Sequence, residues 1–273
     1  MLANPVLHKE LLMRMRFGRQ PTAQRVGICI AIFLLIGFIY FKVYELFSHH
    51  PSADDGHSLW GWVMCLQYTF IVLLSPIAAA NAITQEREQK TWEMLIFTRL
   101  SPGEIIIGKL LSRLLTVVFV ILVGLPIALF AAYFADKNGP GSSSFISPLQ
   151  FCIVYLTQLL TGLFFVTFGL FMSCILKRTL YAVMASYTFV IAGLIMGTLL
   201  ITTILSSLIG TYEFLTKCPL MWLNPIQLIK EAISPDTHLE SGYLMCGLVG
   251  YVLLTVLMLW RMIAGFRRFS YES

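Results

Sequence analysis

Six stretches of the chain are mostly apolar: roughly 26–47, 59–83, 104–135, 149–176, 180–209 and 242–264. Each reaches the length of about 20 residues that a helix needs to cross a ~30 Å hydrocarbon core. Membrane β-strands would instead show ~10-residue segments of strict alternation. Runs such as FVILVGLPIALF and LFFVTFGLFM have no polar face at all. The pattern predicts an all-α integral membrane protein with six transmembrane helices, forming one domain over 1–273.

The intervening segments have patterns of their own. Residues 4–17 (NPVLHKELLMRMRF) place Val6, Leu7, Leu11, Leu12 and Met15 on one side and Lys9, Glu10, Arg14 and Arg16 on the other. That predicts an N-terminal interfacial helix lying along the inner leaflet. The most charged stretch is TQEREQKTWEMLIFTRLSPGE, 84–104. It predicts a helix over 84–99, with Glu86 and Lys90 paired one turn apart and Trp92, Leu95 and Ile96 sharing a face. Ser101-Pro102-Gly103-Glu104 then has the form of a capping box with proline in the first turn, so the third span starts there. Pro126 should kink that span. Leu176–Thr179 is so short that the fourth and fifth spans must be a tight antiparallel pair. The fifth carries Gly193-Leu-Ile-Met-Gly197, a spacing that permits close helix approach, followed by Thr198, Thr202, Thr203, Ser206 and Ser207. Segment 210–241 is apolar for a loop but broken by Pro219, Pro225 and Pro235. It predicts one or two short re-entrant or interfacial helices at the outer face, with Trp222 at headgroup level.

Composition agrees with a membrane protein. Hydrophobic residues make up 58% of the 273, charged residues only 12%, and the mean hydropathy is +0.80. A soluble domain has about 25% charged residues, so this chain lacks the polar surface to be one. Charge sets the orientation. With the N-terminus inside, 15 of the 19 Lys and Arg and 6 of the 14 acids fall on the inner face, leaving it at +9 and the outer side at −4. Positive residues mark the cytoplasmic side, so both termini are expected there, which requires an even number of spans. The expected location is the plasma (inner) membrane, and no signal peptide pattern precedes the first span. The net charge of +5 suits anionic lipid and calls for no nucleic acid.

Candidate chemistry is sparse, and no catalytic residue is assigned. Lys42 and Glu45 end the first span, either as an interfacial pair with the lysine snorkelling outward or as a gate or substrate contact. Gln67 and Gln158 lie within spans, where an amide without a partner is costly; they either bond between helices or line a pathway. His49, His50 and His57, in HHPSADDGH with Asp54 and Asp55, are weak metal candidates, because no helical spacing orients them. Gly103–Leu110 matches G-x-x-x-x-G-K but ends in leucine where a phosphate loop needs Ser or Thr for Mg²⁺. Three isoleucines fill it, so nucleotide hydrolysis would have to come from a partner. The six cysteines show no CxxC spacing; Cys65, Cys152, Cys218 and Cys246 fall towards the outer side, where one disulfide is compatible.

The segment EREQKTWEMLIFTRLSPGEIIIGKLL resembles the link between spans two and three of ABC-2-type transporter permeases, the transmembrane subunits of ABC exporters. Their loose pattern is E-[RK]-E-x-G-T-x-E-x-L-L-x-T-P-[LV]-S, followed later by [IL]-x-x-K. Glu86, Arg87, Glu88, Thr91, Glu93, Leu95, Thr98, Ser101 and Lys109 occupy matching positions, whereas Lys90 replaces the usual glycine and Arg99 the usual proline. The similarity extends loosely over the chain. It implies a half-transporter that pairs with a second permease subunit, identical or related. It also implies docking on a separate ABC ATPase, which would hold the ATP and Mg²⁺ that this chain does not bind. The 84–99 helix would be the coupling helix, with Glu86, Arg87, Glu88, Thr91, Trp92, Leu95, Ile96 and Arg99 as its ATPase contacts.

Two other classes compete. One is a polytopic membrane enzyme acting on lipid or prenyl substrates, for which HHPSADDGH is the sole candidate site. The other is a channel or scaffold that needs no ATPase. The transported substrate is not legible in any span.

Overall fold

A computed structural model of the chain describes residues 53–90, 101–136, 147–195, 224–233 and 237–271, together with the single helical residue Gly37. Its helices are α1 (Ala53–Ala80), α2 (Thr84–Glu88), α3 (Pro102–Asp136), α4 (Pro148–Ile175), α5 (Thr179–Ile195), α6 (Pro225–Ile233) and α7 (Thr237–Tyr271). Among the described residues there is no strand. Four segments are long and apolar enough to cross a membrane: Ser58–Glu88, Pro102–Tyr133, Pro148–Ile175 and Leu244–Phe266. Of the other two spans expected, 26–47 lies outside the described residues apart from Gly37. The one at 180–209 is described only as far as Ile195, within a shorter apolar helix, Thr179–Gly193. The interfacial helix expected at 4–17 also lies outside.

α1 and α4 form the centre. About 56% of the apolar window of each is buried, against 22% for α3 and 28% for α7, which sit at the periphery. α4 packs against α1, α3, α5, α6 and α7. One core cluster gathers Trp60, Met64, Tyr68, Val154, Phe164, Leu228 and Tyr251; the other gathers Ile83, Ile105, Ile106, Val166, Leu170, Met262 and Phe266. Gly169 lets α4 come close to α1, since a Cβ there would stand 2.7 Å from the Pro76 carbonyl oxygen.

Most hydroxyl groups inside the bundle are satisfied within their own helix, as a low-dielectric surrounding favours, whereas the amide oxygens of Gln67 and Gln158 are buried without a hydrogen bond. Thr157, Thr161, Thr167, Ser186 and Thr255 each donate to the carbonyl four residues back. Pro76 removes an N–H from the α1 ladder, and nearby the Tyr187 hydroxyl of α5 donates to the Leu73 carbonyl at 3.0 Å.

Helix starts follow their capping chemistry. Ser101 and Glu104 make the expected reciprocal box: the Ser101 N–H donates to Glu104 Oε2 at 2.8 Å and the Glu104 N–H to Ser101 Oγ at 3.3 Å. Ser147 Oγ accepts from the Gln150 N–H at 3.1 Å, with Pro148 opening α4. Asn224 Oδ1 does the same for Ile226 at 3.0 Å, starting α6. α6 buries Pro225, Leu228, Ile229 and Ala232 and is tied to α4 by Gln150 Nε2, which donates to the Ile233 carbonyl at 2.7 Å.

Three boundaries differ from the hydropathy pattern. α1 begins at Ala53, so Ala53–His57 are helical rather than part of a polar loop. α7 begins at Thr237, so the end of segment 210–241 belongs to the last long helix. The helix expected over 84–99 closes at Glu88; residues 91–100 lie outside the described residues. α3 runs unbroken through Pro126.

Candidate coupling junction

The α1–α2 corner is built by groups borrowed from other helices. α1 ends at Ala80, and a turn over Asn81–Ile83 leads into α2. Nothing local caps α2, since Ile83 precedes it and has no polar side chain. Ser173 of α4 supplies the acceptor instead. Its Oγ takes the Ile83 N–H at 2.9 Å and the Thr84 N–H at 3.1 Å, all of it buried. Ser173 lies one turn beyond Gly169, so the close approach that Gly169 permits also delivers the hydroxyl.

Lys109 of α3 reaches the same corner. Its side chain is 1% exposed, and Nζ donates to the Ala82 carbonyl at 3.0 Å and meets Glu86 Oε1 at 2.8 Å. Glu86 is 23% exposed as a side chain, although its Oε2 is buried, so the pair is deepest at its cationic end. Glu86 therefore pairs across helices, not with Lys90 as helical spacing suggests. Gly103–Lys109, the phosphate-loop lookalike, is a continuous part of α3.

Glu88 faces the other way. Its Oε1 accepts the Thr179 N–H at 2.8 Å, closing the N-terminus of α5, while the Thr179 and Thr84 hydroxyls stand 3.1 Å apart. Five residues of α2 thus meet α3, α4 and α5. Arg87 lies half-buried between these ties.

The other candidates are elsewhere. Gln67 sits mid-bundle, its Nε2 donating to the Ile121 carbonyl at 3.2 Å, its amide seated on Gly124 of α3. Gln158 Nε2 faces the Met64 sulfur at 3.6 Å. Both amides bond across helices. Among the described residues no group of three His, Cys, Asp or Glu stands together, and Cys65, Cys152, Cys174 and Cys246 are free thiols. Lys42, Glu45, His49, His50, Thr91, Trp92, Leu95, Ile96 and Arg99 lie outside the described residues; His57 is in the opening turns of α1.

A family profile, that of the ABC-2 family transporter proteins, matches residues 6–272, nearly the whole chain. The chain belongs to the ABC-2 transporter family. No curated protein matches it. It is a multi-pass membrane protein and a transmembrane component of a transporter, the role this family fills.

Family membership gives the end of α2 its meaning. Where ABC-2 permeases usually have glycine, Lys90 has φ 56°, in the left-handed region. Gln89 closes the helix, its N–H bonded to the Gln85 carbonyl, and the Lys90 N–H returns to the Arg87 carbonyl at 3.0 Å. A residue just past a helix end in this conformation is usually glycine, because a Cβ there is strained. This ABC-2 protein keeps the turn and bears the strain. Sequence pattern alone found Glu86, Glu88, Lys90 and Lys109 as motif positions but missed Ser173 and Thr179 as their partners. The signal for Ser173 is the Gly169-xxx-Ser173 spacing, two small residues on one face of an apolar helix.

Proposed function

We propose that this ABC-2 protein is the permease subunit of an ATP-binding cassette transporter and is driven through residues 84–99 by a separate ATPase. In this reading two permease subunits, identical or related, pack around a translocation pathway in the inner membrane. Both termini are cytoplasmic, and transport runs outward, as the family resemblance implies. ATP and Mg²⁺ bind the ATPase. Trp92, Leu95 and Ile96 fill a groove on it, and the charged rim of Glu86, Arg87, Glu88 and Arg99 sets register. Gln67 and Gln158 tie helices together in this account, while Lys42 and Glu45 stay candidates for a gate.

One observation carries the reading: α2 is bound to the start of α3 by the Lys109–Glu86 ion pair at 2.8 Å. A ligand shifts a conformational equilibrium only through contacts that differ between its states. A partner that moves the 84–99 segment therefore works directly on α3, a helix of 35 residues, about 50 Å long at 1.5 Å each. The placement of basic residues supports a cytoplasmic setting for this corner.

Affinity purification of the tagged protein from its native membrane tests the proposal. An ATPase carrying Walker motifs is expected to co-purify, with recovery falling at least about tenfold for Trp92→Ala or for Leu95→Glu with Ile96→Glu, a loss of roughly 1.4 kcal/mol or more. Equal recovery with the variants would count against the contact. Function in the absence of any ATPase would favour the channel or scaffold.

A further inference from the structure

The ties of α2 do not all lead to α3. Ser173 holds its first amides from α4, and Glu88 closes the first turn of α5. The α4–α5 turn between these two points is only Leu176–Arg178, and it is held at both ends. The Leu176 N–H donates to the Met172 carbonyl at 3.0 Å and the Ala182 N–H to the Arg178 carbonyl at 3.2 Å. So short a turn has little freedom to absorb a displacement. The two ties also differ in kind. Ser173 is fully buried and serves two amides, so releasing it strands both. Glu88 carries a charge and reaches α5 itself, accepting the Thr179 N–H at 2.8 Å.

We propose that Glu88 is a positioning residue that links α2 directly to the N-terminus of α5, so that movement imposed on α2 reaches α5 without passing through α3. The inference rests on the coupling reading above. It adds a second route, from α2 through one charge-assisted hydrogen bond into the α4–α5 hairpin. The donor is a backbone N–H at the first residue of α5, a position where proline is well tolerated. Thr179→Pro therefore removes the donor and leaves Glu88 and the helix start in place. Thr179→Val removes only the hydroxyl facing Thr84.

Hydrogen–deuterium exchange on the purified permease–ATPase complex in lipid nanodiscs, with and without Mg·ATP and vanadate, tests it. In the native complex, nucleotide is expected to change exchange both in peptides spanning Thr179–Met184 and in those spanning Ile105–Leu111. Thr179→Pro should cut the α5 response at least about threefold and leave the α3 response and ATPase recovery unchanged. Thr179→Val, which keeps the backbone donor, should retain most of the α5 response. An α5 response of native size in Thr179→Pro, or loss of both responses together, would overturn the inference. So would a native complex in which only α3 responds. If neither segment responds and no ATPase co-purifies, the coupling reading itself has failed.

Discussion

A lysine ammonium removed from water costs several kcal/mol unless its charge is matched and its protons are accepted. Lys109 meets both conditions with the Glu86 carboxylate and the Ala82 carbonyl. The two ends of the pair are not equivalent, and the difference is testable. Glu86→Ala removes the carboxylate 2.8 Å from a buried ammonium and should cost about 3 kcal/mol. Lys109→Met leaves the carboxylate on the less buried side chain, which can turn towards water, and should cost less, about 1–2 kcal/mol. Reversible unfolding in mixed micelles reads both, and the reverse ranking would contradict the burial assignment. Lys90 makes the opposite prediction, because its left-handed backbone disfavours any side chain. Lys90→Gly should stabilise the protein by up to about 1 kcal/mol in the same assay. Loss of stability would mean that the lysine side chain has a partner worth more than its strain.

Elements in this bundle are placed by what they can approach as much as by their own propensities. Gly169 shows this for α4: a methyl group there would press on the Pro76 backbone, which has no rotamer to move. Gly169→Ala should cost about 1–3 kcal/mol despite alanine's higher helix propensity. Gly103, in the first turn of α3, has nothing within 4 Å of an added Cβ, so Gly103→Ala should be neutral or stabilise slightly. Equal effects at both sites would contradict the close α1–α4 contact. The same contrast explains which elements were legible. The start of α3 was readable because its cap is local: Ser101, Pro102 and Glu104 lie within four residues. α2 was not, since its first amides are held by Ser173 and its carboxylates by Lys109 and Thr179, all from distant parts of the chain. Helical spacing offered Glu86 a partner at Lys90, but a turn with positive φ removed it. For α1, the polar composition of Ala53–His57 hid the helix start at Ala53.

At the scale of the molecule, among the described residues apolar runs marked α3 and α4 to within two residues and α1 and α7 to within seven, because nothing else in a membrane satisfies a backbone. They said nothing about which helices lie at the centre. α1 and α4 are buried there because small and hydroxyl residues, Gly162, Thr161, Gly169 and Ser173, let them meet. α3 and α7 keep apolar outer faces, with Phe119, Leu122, Leu253 and Trp260 exposed. The central claim is that the α2 corner faces the cytoplasm and is the place where an ATPase acts. A photo-crosslinking residue at Gln89, an exposed position, tests this most directly in intact membranes. The account predicts one adduct joining the permease to an ATP-binding cassette ATPase, with its yield changed by Mg·ATP. Modification of position 89 only by reagents confined to the outer face, with no such adduct, would contradict it.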